Sequence, residues 1–195
     1  ARTVEGGVSA MLVGGCHAVD ALRGFASDGE FTAARPVEVF AVRGGYRKGT
    51  TREYSPVTHT WSDDAPSMEN DGLEVALVTF DNGVVGKISV NADCIMPYRF
   101  PVRVFGDRGT FLDNRVWSPG TPPAPGWEPL SGTPPDSSDV SHHPFRAQLD
   151  HFVECLTQGV DSHCNLDDAA LTHEVVFAAQ ACYRDAQPVR LASLR

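Results

Sequence analysis

Residues 73–80 (LEVALVTF) and 84–93 (VVGKISVNAD) are two strand-like runs joined through Asn82-Gly83. Both residues of that pair tolerate positive φ, so the spacing predicts a β-hairpin with a two-residue turn. In the second run Val84, Ile88 and Val90 alternate with Val85, Lys87, Ser89 and Asn91, which gives one apolar face and one mixed face. The first run is apolar on both sides, with Leu73, Val75 and Leu77 against Ala76, Val78 and Phe80. A strand of that kind needs a layer on each side. Helices of the same chain can supply one layer, and we expect a second subunit to cover the other.

The remaining elements arrange themselves around this hairpin. PVEVFAVRG (36–44) reads as a strand, and FPVRVFG (100–106) and GTFLDN (109–114) extend an antiparallel meander. Residues 45–70 are irregular, with one weak strand near PVTHTW, and VRL (189–191) can close as an edge strand. Residues 118–141 hold seven of the 14 prolines without periodicity and read as a loop or lid. Over 8–25 the positions Val8, Leu12, Gly15, Val19 and Leu22 form a helical stripe. A second helix is expected to start at Pro144, bury Phe145, Leu149, Phe152, Val153 and Leu156, and end near Gly159. A third begins at Asn165 as N-cap, carries Asp167 and Asp168 in its first turn, and stops at Gln187-Pro188. This order predicts an α+β fold: a single open-faced, mostly antiparallel sheet with helices packed on one face, the other face being an oligomer interface. Residues 1–195 are expected to form one domain. The opening ARTVEGG lacks an initiator methionine, and we expect the chain to be a piece of something longer.

Composition narrows the partners. The net charge is −9 and the 16 basic residues are scattered, so nucleic acid is not an expected partner. No apolar run reaches the roughly 18 residues of a membrane span, and no membrane association is expected. Five widely spaced cysteines without a C-x-x-C pair read as reduced thiols of a cytoplasmic protein.

The chemistry-bearing candidates lie on the first helix, in LVGGCHAVD (12–20). At about 100° per residue, Val13, His17, Asp20 and Gly24 fall together on the side away from the apolar stripe. An imidazole beside a carboxylate suits general acid–base work near neutral pH, although spacing alone favours a structural histidine bonded to a carbonyl. Gly14 and Gly15 each cost a helix interior about 1 kcal/mol relative to alanine. Close approach of another backbone or a flat ligand would offset that, as would tight packing of Gly15 on a sheet. His151 and Cys155, with His142 and His143 nearby, have a spacing compatible with zinc, but no His-Glu-x-x-His or paired-cysteine pattern supports a metal, and none is expected. The basic segment 46–52 (YRKGTTR) reads as a solvated loop before it reads as an anion site. No glycine-rich strand–turn–helix fingerprint occurs, so the chain should not bind a dinucleotide alone.

GGVSAMLVGGCHAVDAL, the VTFDNGVVGKISV hairpin, VRVFGDRGTF and the closing HPFRAQLDHFVECLTQG…DDAALTHEVVFAAQACYRDAQPVRL together resemble, in that order, the C-terminal domain of the Gfo/Idh/MocA oxidoreductases. The resemblance implies a missing N-terminal Rossmann domain that holds NAD or NADP. It implies that this domain binds a small hydroxyl substrate, a sugar, polyol or related compound, and forms a homodimer or tetramer through the open sheet face. It further implies that His17 is the proton-transfer residue, that Asp20 and Gly15 match the family motif, and that Val13 stands where a substrate-orienting aspartate is expected. Valine accepts no hydrogen bond. His17, with Asp20, Val13, Gly14 and Gly15 as substrate-binding or orienting positions, is therefore the expected site, and the chain alone is expected to be inactive. The alternative is a non-catalytic ligand-binding and dimerisation module, which Val13 favours.

Overall fold

A computed structural model of the chain describes residues 9–27, 34–45, 49, 51, 53–55, 58, 60–64, 71–95, 100–112, 114–119, 126–129 and 145–191. The chain divides into two compact units, one of Ala1–Ile95 with Cys155–Arg195 and one of Met96–Glu154. The first unit opens with a π-helical turn, Met11–Gly15, that runs directly into α1 (Cys16–Ala26). Strands β1 (Pro36–Gly44), β2 (Glu53–Ser55), β3 (Thr60–Ser62), β4 (Leu73–Phe80) and β5 (Val85–Asn91) follow. The second unit carries β6 (Arg103–Phe105), β7 (Thr110–Leu112), β8 (Arg115–Trp117) and β9 (Trp127–Pro129). Helix α2 (Phe145–Gln158) crosses the boundary between the units, and α3 (Leu166–Asp185) and β10 (Val189–Arg190) complete the first.

The class is α+β, with every strand pairing antiparallel. The strands are divided among sheets rather than joined in one. The first unit holds the order β10-β1-β4-β5, β2 and β3 pair by themselves, and the second unit holds β6-β7-β8-β9. β9 lies inside the proline-rich segment 118–141, which the sequence leaves as a loop or lid without a strand. It is an edge strand, the kind of position in a sheet that tolerates a proline such as Pro129.

Strand parity sorts the main sheet into two faces. Val39, Ala41, Ala76, Val78, Phe80 and Ile88 point to the helices and are nearly solvent-free. Val19 and Met11 from the first helix and Val175, Val176 and Cys182 from α3 meet them there. Phe40, Val42, Leu77 and Val85 point the other way and are exposed. The hairpin at residues 80–84 forms, but its loop is three residues long. Gly83 donates to the Phe80 carbonyl, Phe80 donates to the Val84 carbonyl, and Gly83 alone takes positive φ, 85°. This is a turn closed by a left-handed glycine. Asn82 instead uses its side chain, donating from Nδ2 to the Ala26 carbonyl at 2.8 Å and tying the loop to the end of α1.

Helix α3 starts at Asn165, whose side chain accepts from the Asp168 N–H at 3.0 Å, and ends at Ala186 in the left-handed region, φ 54°. Helix α2 ends before Gly159, also left-handed, but its apolar stripe is not buried. Phe145, Leu149, Phe152, Val153 and Leu156 are all more than half exposed, and Cys155 is its buried residue. The stripe is amphipathic as expected, yet its side chains stand exposed. Among the described residues no helix is long and apolar enough to cross a membrane. His142, His143 and most of 46–52 lie outside the described residues.

Candidate functional site

The site is built on α1 and on what holds α1 in place. The helix has no capping side chain of its own at its start. Glu74, from the inward face of β4 and 2% exposed, takes that role. Its carboxylate accepts from Ser9 Oγ at 2.7 Å, the Ala10 N–H at 2.9 Å and the Met11 N–H at 3.2 Å. A carboxylate at a helix N-terminus also meets the positive end of the macrodipole. Tyr183 Oη donates to the same carboxylate at 3.1 Å. Burial, and then the Glu74 charge, hold the Tyr183 phenol well above its ordinary pKa, so it stays a donor.

The two glycines play different parts. At Gly15 a Cβ would lie 2.7 Å from Met11 Sδ and 2.7 Å from Val90 Cγ2, so the helix touches β5 there. At Gly14 a Cβ would meet nothing within 4 Å. Gly86 of β5 makes a second close approach, its bare backbone facing Leu22 of α1. Both glycines of the pair lie in the π-helical turn, a wider coil that occurs mainly as single turns, often at functional sites.

Val13, His17, Asp20 and Gly24 emerge together on the outer face, all exposed, and Val13 is 45% exposed. His17 has no hydrogen bond or ion pair among the described residues. Asp20, one turn on, is turned to α3 rather than to the imidazole. Its Oδ1 accepts from Thr172 Oγ1 at 3.0 Å and lies 3.5 Å from Arg23 Nη1. Arg23, 1% exposed, donates from Nη1 to Thr172 Oγ1 at 2.7 Å and to the Asp168 carbonyl at 2.9 Å, and from Nη2 to Asp168 Oδ1 at 2.7 Å. Beside this network opens a cleft of about 370 Å3, lined by Asp20, Arg23, Gly24, Phe25, His163, Cys164 and Asp168 among others. Burial, then the charges of Asp20 and Asp168, push the Cys164 thiol up, so it is a poor thiolate.

Sequence reasoning placed His17, Asp20 and Val13 on one face and Gly15 on the buried stripe, and the structure has them so. It missed Glu74, Arg23, Thr172 and Tyr183. Two of these carried a signal: Glu74 is in phase with Ala76, Val78 and Phe80, and Arg23 stands four residues after Val19 on the buried stripe. Among the described residues no group of three or more His, Cys, Asp or Glu side chains is placed to hold a metal ion. Among the described residues, the glycines Gly15, Gly106 and Gly109 are spent on packing and a turn rather than on a phosphate cradle. Gly15 is committed to β5, and Gly106 and Gly109 close the β6–β7 turn through a 2.9 Å bond.

Residues 6–191 match the oxidoreductase family described by its C-terminal alpha/beta domain. The chain belongs to this family, the Gfo/Idh/MocA oxidoreductases. Three solved structures illustrate the fold it shares. An oxidoreductase domain protein from Kribbella flavida has 18% identity and a TM-score of 0.68, over 97% of this chain and 56% of that one. An oxidoreductase from Agrobacterium radiobacter, in complex with NAD+, L-tartaric acid and magnesium, has 17% identity and a TM-score of 0.61, over 92% of this chain and 48% of that one. A myo-inositol dehydrogenase from Corynebacterium glutamicum has 16% identity and a TM-score of 0.61, over 92% and 48%. The chain thus spans about half the length of these relatives. No curated protein matches it.

Proposed function

We propose that residues 1–195 are the C-terminal, substrate-binding and oligomerisation domain of a longer oxidoreductase that acts on the CH–OH group of a sugar, polyol or related compound. The observation that carries this is His17: an exposed imidazole without a hydrogen bond among the described residues, on the outer face of α1 one turn before Asp20, whose fixed carboxylate lines an open cleft, in a chain of this family. His17 takes the proton of the substrate hydroxyl as the carbinol becomes a carbonyl, and returns it in the reverse direction. The hydride leaves the same carbon for a nicotinamide cofactor, NAD or NADP, held by a part of the protein outside this chain. Asp20 and the backbone at Gly14 face the substrate, while Gly15 sets how closely α1 lies on the sheet.

The exposed sheet face of Phe40, Val42, Leu77 and Val85 is the surface on which a homodimer or tetramer would form. All five cysteines are free, which suits the reducing cytoplasm. In the full-length enzyme His17→Ala should lower kcat/KM about 100-fold or more. A rate equal to wild type removes His17 from the chemistry. A second reading, a non-catalytic ligand-binding and dimerisation module, is favoured by Val13, an exposed valine at the family's carboxylate position. A full-length protein that binds polyols but reduces neither NAD+ nor NADP+ would establish it.

A further inference from the structure

Asp20 is the one carboxylate on the outer face of α1 one turn from His17, and its geometry is set by residues far away in sequence. Thr172, 4% exposed, has a hydroxyl with one proton and two lone pairs. Arg23 Nη1 donates into one lone pair at 2.7 Å, which leaves the hydroxyl proton for Asp20 Oδ1 at 3.0 Å. Arg23 is held in place by Asp168 as well, Nη1 donating to its carbonyl and Nη2 to its Oδ1, while Nε is left without a partner among the described residues. One oxygen of Asp20 is thereby fixed. The other belongs to a side chain that remains 49% exposed at the cleft. Polarisation by a guanidinium strengthens each bond in such a chain. At Val13 the same helix face offers carbon alone.

We propose that Thr172, backed by Arg23, is a positioning residue that locks Asp20 as the hydrogen-bond acceptor for a substrate hydroxyl, the task that valine at position 13 cannot perform. The inference rests on the reading of this face as the substrate site. Thr172 touches no substrate; it acts through Asp20. An acceptor fixed before binding does not lose rotamer freedom when the substrate arrives, so the lock should appear in KM more than in kcat.

The test uses the full-length enzyme with NAD+ and NADP+ against myo-inositol, glycerol and glucose, followed by absorbance of the reduced cofactor. Thr172→Val keeps the shape and removes the hydroxyl. It should raise KM about fivefold to tenfold, the worth of one hydrogen bond, with kcat within about twofold. Thr172→Ser should restore KM, and Asp20→Asn should match Thr172→Val. The double variant should be no worse than Asp20→Asn alone, because both changes remove one interaction. An unchanged KM in Thr172→Val overturns the inference, even with a lowered Tm, since that outcome assigns Thr172 to packing. Penalties that multiply in the double variant overturn it too. If the wild type is active and His17→Ala is not, a silent Thr172→Val sinks this inference alone. If the wild type reduces neither cofactor with any of the three compounds, the substrate-site reading falls and takes the inference with it.

Discussion

Glu74→Gln changes one oxygen to an amide nitrogen, and the structure says why so small a change should be costly. The carboxylate serves four donors: Oε1 takes the Ala10 N–H, while Oε2 takes Ser9 Oγ, the Met11 N–H and Tyr183 Oη. An amide has one acceptor oxygen. Placed at the Oε2 position it keeps three donors and turns its NH2 on the Ala10 N–H, leaving a partly buried donor facing a donor. An orphaned group of that kind costs about 1–3 kcal/mol. Loss of the negative charge at the helix start adds about 1 kcal/mol. Glutamine recovers part of the desolvation cost of a buried carboxylate, so a net loss of about 2 kcal/mol is expected. For a chain of 195 residues that lowers Tm by about 4–8 °C. Calorimetry or circular dichroism melting of the two proteins reads it directly. Amide exchange at residues 10–15 should accelerate at the same time, because the first turn frays. Stability within about 0.5 kcal/mol of wild type, with unchanged exchange in that turn, would refute the capping argument.

The glycine pair should respond asymmetrically. Gly15→Ala forces Met11 and Val90 aside and should cost about 1–3 kcal/mol, whereas Gly14→Ala meets open space and should be neutral or gain up to about 1 kcal/mol in thermal melts. Equal effects at both positions would remove the close approach to β5. For Tyr183 the folded pKa lies above the unfolded value near 10. The folded state therefore keeps a proton that the unfolded state sheds, and the phenol's contribution is full below about pH 10 and is lost as pH rises above it. Absorbance titration near 295 nm should show one tyrosine ionising later than the rest, and Tyr183→Phe should delete that late step. A Tyr183 that titrates with the others contradicts the Glu74 contact.

Local signals carried most of the fold. The Asn82-Gly83 pair announced the hairpin, strand parity sorted Val39, Val78 and Ile88 to the inside, and Asn165 marked the start of α3. What escaped was nonlocal. The pairing of β9 with β8 is set by partners across a proline-rich stretch, and no periodicity within residues 118–141 encodes it. The π-helical turn departs from the 3.6 period on which helix reading relies. The stripe of α2 showed that the helix wants a partner without saying which, and its side chains stand exposed. On the site, His17 and Asp20 were legible as a face. The bonds that aim Asp20 join residues 152 positions apart, a separation that no sequence window spans.

Those bonds bear on why α1 is held as it is. Leu22 and Val19 alone would bury its apolar side, but a purely apolar contact tolerates rotation about the helix axis, and each residue of slip turns the outer face by about 100°. Glu74 grips the first turn and Arg23 the last, so the helix carries a directional latch at each end. Buried charged latches of this sort often contribute no more stability than well-packed hydrophobic side chains would. Their distinct effect is on register: with both ends pinned, His17 and Asp20 cannot trade places with the residues beside them. Holding reactive groups to within a fraction of an ångström is what a transfer between a substrate and a separate lobe requires. An isolated core helix has no such requirement. The two latches thus favour the proposed working face over a merely structural one.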